Sequence, residues 1–139
     1  MKIGKVVLAG VVVGILTFVW GWLTCGWLFN WVYTLEPTSI WKLPQEMPFA
    51  LMGIMDVVFS ILVAFVYALI HKGLPGKSIA SKGLWFGLFV WLVGGLPGNF
   101  ALGMVTVMAP AVVIYWIIDF LVINLWQGLI IAAIYGKSS

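Results

Sequence analysis

Apolar residues run almost unbroken through four stretches of this chain, Val6 to Phe29, Pro48 to Ile70, Ile79 to about Val105 and Ala111 to Tyr135. Each reaches the roughly 20 residues that a helix needs to cross the hydrocarbon core of a bilayer. A run such as Val6-Val7-Leu8-Ala9-Gly10-Val11-Val12-Val13 lacks the apolar and polar alternation of a membrane β-strand. The pattern predicts an all-α integral membrane protein, a single domain over residues 1–139 with four transmembrane helices. Polar and proline-rich sequence separates the first two spans at Glu36-Pro37-Thr38-Ser39 through Pro44, and a short loop from His71 to Ser78 separates the second from the third.

The third span carries its own interruption. Gly94, Gly95 and Pro97 fall inside it, and an interior proline both lacks a donor and collides with the preceding turn. The spacing predicts a third helix kinked or broken near Pro97. The residues after Gly98 then either complete a kinked span or form a short re-entrant piece before Pro110 restarts a helix.

Small residues recur on one face of the first span at Gly10, Gly14, Thr17, Gly21 and Thr24, and on one face of the third at Gly83, Gly87, Gly94 and Gly98. Such stripes permit close helix approach, so Gly10, Gly14, Gly21, Gly83 and Gly87 are the expected packing positions. Phe18-Val19-Trp20 returns as Phe89-Val90-Trp91, a hint of a duplicated two-helix hairpin.

Composition sharpens the class. The chain is 64% hydrophobic and 8% charged, far from the roughly one-quarter charged make-up of soluble domains. Every basic residue is a lysine. With a cytoplasmic N-terminus, Lys2, Lys5, Lys72, Lys77, Lys82 and Lys137 lie inside, and Lys42 lies outside with Glu36 and Glu46, the asymmetry of the positive-inside rule. The expectation is a multi-pass protein of the inner, or plasma, membrane with both termini cytoplasmic. The pI near 9.2 then reflects lysines facing anionic lipid, with no nucleic-acid partner. Trp27, Trp31, Trp41 and Trp85 fall near span ends, where indoles suit the headgroup level. The start, Lys2-Ile3-Gly4-Lys5 before a long apolar run, has no small-x-small cleavage pattern and reads as a retained first span.

Little familiar chemistry is present. One cysteine, Cys25, excludes an internal disulfide or a multi-cysteine centre, and the lone histidine, His71, makes zinc or haem ligation a poor fit. No cofactor and no metal site are expected, and no nucleophile, metalloprotease or dinucleotide motif points to an enzyme.

Two acids remain inside the apolar stretches, Asp56 and Asp119. A carboxylate at bilayer depth costs about 3 kcal/mol on insertion scales, so it faces protein, a partner or water and marks a functional candidate. Each lies about 9 residues, roughly 13 Å, below the outer start of its span, which places the two at similar depth. Thr24 and Cys25 count to a level slightly above, and the Gly94-to-Asn99 interruption to one close by, so a single pocket is expected around Asp56, Asp119, Tyr115, Ser60 and Asn99. Asp56, Ser60, Tyr67 and His71 share one face of span two, and Tyr115 stands one turn before Asp119 with Asn124 and Gln127 beyond. For Ser60, Asn124 and Gln127 the simpler reading is inter-helix hydrogen bonding, typically about 0.6 kcal/mol each.

Gly14 through Trp22, Gly87-Leu88-Phe89-Val90-Trp91 before Pro97, and Ile118-Asp119 through Gly128 to Gly136 resemble a family of small four-span bacterial inner-membrane proteins defined as a domain of unknown function. Members carry Asn where this chain has Asp119, and charges between the last two spans, which this chain lacks. The resemblance implies fold and localisation, not activity. The leading expectation is a protein that binds, and translocates, a small apolar or cationic solute or a proton around Asp56 and Asp119. The alternative is an accessory or structural subunit of a larger membrane complex, with an enzyme acting on lipid or quinone ranked below both. A transporter would hold both acids inside its own bundle, whereas a subunit would present at least one outward. The expected partners are the bilayer and either a second copy or a larger membrane complex.

Overall fold

The computed structural model describes residues 1–136, and among these every regular element is helical. Lys137 lies outside the described residues. Helix α1 (Ile3–Leu23) widens into a π-helical turn over Thr24–Leu28, followed by short 3-10 turns at Asn30–Thr34 and Pro44–Glu46. Helix α2 (Phe49–Ile70) ends in a 3-10 turn at His71–Gly73. Helices α3 (Ile79–Val90) and α4 (Leu96–Val105) are joined by a π-helical turn at Trp91–Gly95, and α5 (Pro110–Tyr135) closes the chain.

These elements make four stretches long and apolar enough to cross a membrane, Ile3–Leu28, Phe49–Gly73, Ile79–Val105 and Pro110–Tyr135. At most 28% of any span's most apolar window is buried inside the protein. Most of the apolar surface therefore points outward, the arrangement suited to lipid rather than water.

The helix ends follow local chemistry. Ser78 Oγ accepts from the Ser81 backbone N–H at 3.0 Å and caps α3. Pro110 opens α5, where its missing N–H is no loss. Gly136, at φ 79°, terminates α5 in a conformation that disfavours a side chain.

Where a kink or break was expected, near Gly94, Gly95 and Pro97, the helix has a widened turn. Gly94 and Gly95 lie in the π-helical turn, Leu96 keeps helical backbone angles, and the chain stays helical through Pro97 to Val105. A π-turn relaxes the hydrogen-bond ladder where proline cannot donate. Asn99 Nδ2 donates to the Gly95 carbonyl at 2.7 Å and satisfies a group that this irregularity loosens.

Glycines set the two closest crossings. Gly10 and Gly14 lie against the backbone of Ile61 and Val57 on α2, and Gly83 and Gly87 lie against that of Gly128 and Asn124 on α5. A Cβ at any of the four would overlap its neighbour. Gly21, expected in the same stripe, meets nothing within 4 Å among the described residues, although the next residue, Trp22, still packs on Phe49 at the start of α2.

Helices α1 and α5 join the two pairs. Gln127 Nε2 donates to Thr17 Oγ1 at 2.8 Å, itself donating to the Val13 carbonyl at 2.7 Å. Toward the lysine-bearing end the bundle closes on Val6, Ala9, Val13, Ala64, Tyr67, Phe86, Ile131 and Tyr135. Lys2 Nζ donates to the Tyr135 carbonyl at 3.3 Å, which puts the beginning of α1 and the end of α5 at the same end. A smaller cluster of Val32, Ala109 and Val112 closes the opposite end.

Candidate functional site

Asp119 stands on the α5 face that meets α1, where Trp20 Nε1 donates to its Oδ1 at 2.9 Å. Tyr115 precedes it by one turn on the same face. The Tyr115 hydroxyl lies 3.4 Å from Cys25 Sγ, and Cys25 sits 3.9 Å from the hydroxyl of Thr24. Thr24 is itself tied down, donating to the Trp20 carbonyl at 2.8 Å. Cys25 lies in the π-helical turn at Thr24–Leu28. Such turns recur at functional sites because the extra residue re-aims side chains.

Beyond Cys25 the cluster becomes aromatic. Trp116 Nε1 donates to the Tyr33 hydroxyl at 2.7 Å. Tyr33 also meets Trp41 edge-on at 5.0 Å, and Phe29 packs on Tyr115 at 4.9 Å between ring centroids. Burial pushes the Tyr33 phenol above its ordinary pKa; the neighbouring Cys25 adds to the rise and the Trp116 donor opposes it. The result is a half-buried line of exchangeable groups, Tyr33, Cys25, Tyr115 and Asp119, running from the far end of the bundle into the α1–α5 interface. No lysine lies within it, and the chain has no arginine.

Asp56 takes no part in this line. It precedes Val57, which packs at Gly14, whereas Asp119 and Tyr115 meet Trp20 and Cys25, roughly 9 to 16 Å further along α1 at the helical rise. The expectation of equal depth fails because the two outer helix ends are not level. Phe49 at the start of α2 reaches only Trp22, while Val112 at the start of α5 packs against Val32 beyond the end of α1. The Asp56 side chain is half-buried and has no hydrogen bond to any described residue.

The remaining sequence candidates serve other places. Ser60 is buried on the inward face of α2. Asn99 bonds the backbone of its own helix, Asn124 lies at the Gly87 crossing, and Gln127 holds Thr17. Tyr67 and His71 belong to the opposite, lysine-bearing end, with their rings stacked at 5.7 Å. Among the described residues no group of three or more His, Cys, Asp or Glu is placed to hold a metal ion.

Sequence reasoning missed Trp20, Tyr33 and Trp116. The usable signal was chemical: an indole N–H is donor-only and seeks an acceptor when buried, and Asp119 is one of few side-chain acceptors in the spans. Trp91 answers the same need with the Ile117 carbonyl at 2.9 Å. No family model, curated protein or solved structure matches this chain.

Proposed function

We propose that this chain is a multi-pass inner-membrane protein that takes up a proton, or a small cationic solute, at Asp119 from the end opposite its lysines. The observation that carries the reading is the Asp119 carboxylate, held by Trp20, with Tyr115 beside it, Cys25 Sγ 3.4 Å from the Tyr115 hydroxyl and Tyr33 beside Cys25, and with no basic side chain among the described residues in this group to neutralise it. Lysines 2, 5, 72, 77 and 82 against Lys42, Glu36 and Glu46 support cytoplasmic termini and an outward-facing Tyr33. The widened turn before Pro97 supports a kink in the third span.

In this reading a proton reaches Asp119 by successive hops. Tyr115 passes its hydroxyl proton to the carboxylate and takes one from the Cys25 thiol, which is replenished from Tyr33, and Tyr33 takes its proton from the water at the outer end. Every group ends in its starting form except Asp119, which is now neutral. Toward the other end the line meets the Gln127–Thr17 hydrogen bond and then fully buried Ala9, Val13, Ile131 and Ala132. That seal supports uptake and release on one side, with passage across the bilayer requiring the α1–α5 interface to open.

Asp119→Asn tests the proposal. The asparagine oxygen still accepts from Trp20, so folding is retained while proton exchange is not. Proteoliposomes carrying the variant are expected to lose the proton uptake of the parent, and the infrared carboxyl band that responds to pH is expected to vanish with it. An unchanged band and unchanged uptake would remove Asp119 from the mechanism.

Asp56 favours a second reading, that of an accessory subunit. Its carboxyl has no hydrogen-bond partner among the described residues, and it neighbours an apolar groove of about 600 Å³ between α1 and α2 lined by Ile15, Phe18, Phe49, Gly53 and Val57. A partner helix with a donor facing Asp56 would satisfy both.

A further inference from the structure

The lysine-bearing end holds a second, unrelated site. A cavity of about 300 Å³ opens there, lined by Lys2, Lys72, His71, Tyr135, Ala68 and Leu69 among others. His71, at the end of a membrane-spanning helix, is only 6% exposed. Its Nδ1 lies 3.0 Å from the Ala68 carbonyl. A carbonyl can only accept, so Nδ1 carries the proton and donates. That fixes Nε2 of the neutral ring as an acceptor, and it is buried without a partner among the described residues.

The ring is packed between two tyrosines. Tyr67 stacks on it at 5.7 Å, Tyr135 meets it edge-on at 5.1 Å, and Lys82 Nζ fastens the turn by donating to the His71 and Leu74 carbonyls at 2.8 and 3.3 Å. Lys2 Nζ is placed beside the cavity by its bond to the Tyr135 carbonyl and its position 5.2 Å from that ring's centroid. Among the described residues no acidic side chain lines the cavity. The four acids of the chain, Glu36, Glu46, Asp56 and Asp119, lie in the opposite loop or deeper in the spans.

We propose that this cavity binds the phosphate of a hydroxyl-bearing headgroup, that of an anionic glycerophospholipid. The ammonium groups of Lys2 and Lys72 take the phosphate oxygens, and Nε2 of His71 accepts from a headgroup hydroxyl. Basic pockets at the ends of membrane helices suit phospholipid headgroups. Leu69 and Ile70, both exposed beside the cavity, offer an apolar surface on which the acyl chains continue. The inference rests on the chain residing in a bilayer, which incorporation into nanodiscs establishes separately.

The test is native mass spectrometry of the protein released from phosphatidylcholine nanodiscs doped with phosphatidylglycerol. Wild type is expected to retain phosphatidylglycerol in preference to phosphatidylcholine. Lys72→Gln, at an exposed position that tolerates change, is expected to weaken that retention about fivefold, the effect of one lysine at a membrane surface. His71→Phe keeps the ring packing, removes the acceptor, and is expected to erase the preference for phosphatidylglycerol over phosphatidic acid, which has no headgroup hydroxyl. Glycerol 3-phosphate and inorganic phosphate are titrated separately against the protein in detergent. Saturable binding of either with no lipid preference would assign the cavity to a soluble phosphate and overturn the lipid source. Equal retention of all lipids, or a preference untouched in Lys72→Gln, would overturn the site.

Discussion

Trp20 and Asp119, 99 positions apart in sequence, are joined by a 2.9 Å hydrogen bond from the indole N–H to the carboxylate across the α1–α5 interface. The pairing answers two needs with one contact. Trp20 presents a donor that a lipid environment leaves unpaired, and Asp119 presents an acceptor that the same environment penalises. Trp20 also packs on Trp126 at 5.8 Å between ring centroids, so the indole is fixed on both sides.

Trp20→Phe separates those contributions. The phenyl ring keeps the packing on Trp126 and loses the donor. The expected cost is about 0.6 to 1.7 kcal/mol, the range measured for hydrogen bonds between membrane helices, read as a loss of stability in bicelle unfolding. The infrared carboxyl band of Asp119 is expected to shift at the same time. A stability loss without a spectral shift would mean that the indole acts through packing alone.

Cys25 is the link that the relay puts between the two tyrosines: its sulfur is 3.4 Å from the Tyr115 hydroxyl and it neighbours Tyr33. Cys25→Ser retains an exchangeable proton at that position and is expected to keep proton uptake, whereas Cys25→Ala is expected to slow it at least tenfold without unfolding the protein. The comparison is made by dye-reported uptake in matched proteoliposomes. Equal rates in the two variants would place the proton path elsewhere.

Tyr33 gives a pH dependence outside the spans. Its pKa is raised in the folded protein by burial, so the folded state favours the neutral phenol. That contribution is present in full below the unfolded value of about 10, and it is lost as pH rises from there toward the raised folded value. Thermal unfolding scans at increasing alkaline pH are expected to show a falling Tm in the parent. Tyr33→Phe, which cannot ionise, is expected to flatten that fall while lowering Tm at neutral pH through the lost Trp116 bond.

Gly14→Val and Gly21→Ala probe the helix crossings. A side chain at Gly14 overlaps the Val57 backbone, whereas one at Gly21 meets nothing within 4 Å. The first is expected to cost at least about 2 kcal/mol through overpacking, and the second to stay within about 0.5 kcal/mol, as for an unconstrained surface position. Steric-trap or denaturant unfolding in bicelles measures both. A severe effect at Gly21 would point to a contact outside this chain.

The four spans were legible because 20-residue apolar runs leave few alternatives to a membrane helix. The glycine stripes were legible in part: Gly10, Gly14, Gly83 and Gly87 do meet backbone, but Gly21 shares their face without a neighbour, since sequence shows which face is small and not which of its positions the partner helix meets. The common depth of Asp56 and Asp119 was misread for a related reason. Counting from helix starts assumes level ends, and Val32 lifts the start of α5 above that of α2. The hint of a duplicated hairpin meets the same limit. Both hairpins cross at glycines, yet Asp56 neighbours its crossing residue Val57 while Asp119 is more than a turn from Asn124, so the acids do not occupy equivalent places.

Asp56 supplies the prediction that separates the two functional readings. A carboxyl inside a span costs about 3 kcal/mol to insert, and among the described residues no hydrogen bond offsets that cost for Asp56. Replacing it with an apolar residue of similar size therefore removes a penalty and no contact. Asp56→Leu is expected to stabilise the isolated chain by about 1 to 3 kcal/mol in bicelle unfolding. If the chain acts alone through Asp119, the variant keeps its proton uptake and its assembly state. If Asp56 instead meets a donor on a second helix, the variant gains stability when isolated but loses co-purification with that partner, because the donor is then left buried and unpaired. A destabilised Asp56→Leu would contradict both readings and show that the carboxyl is held within its own bundle.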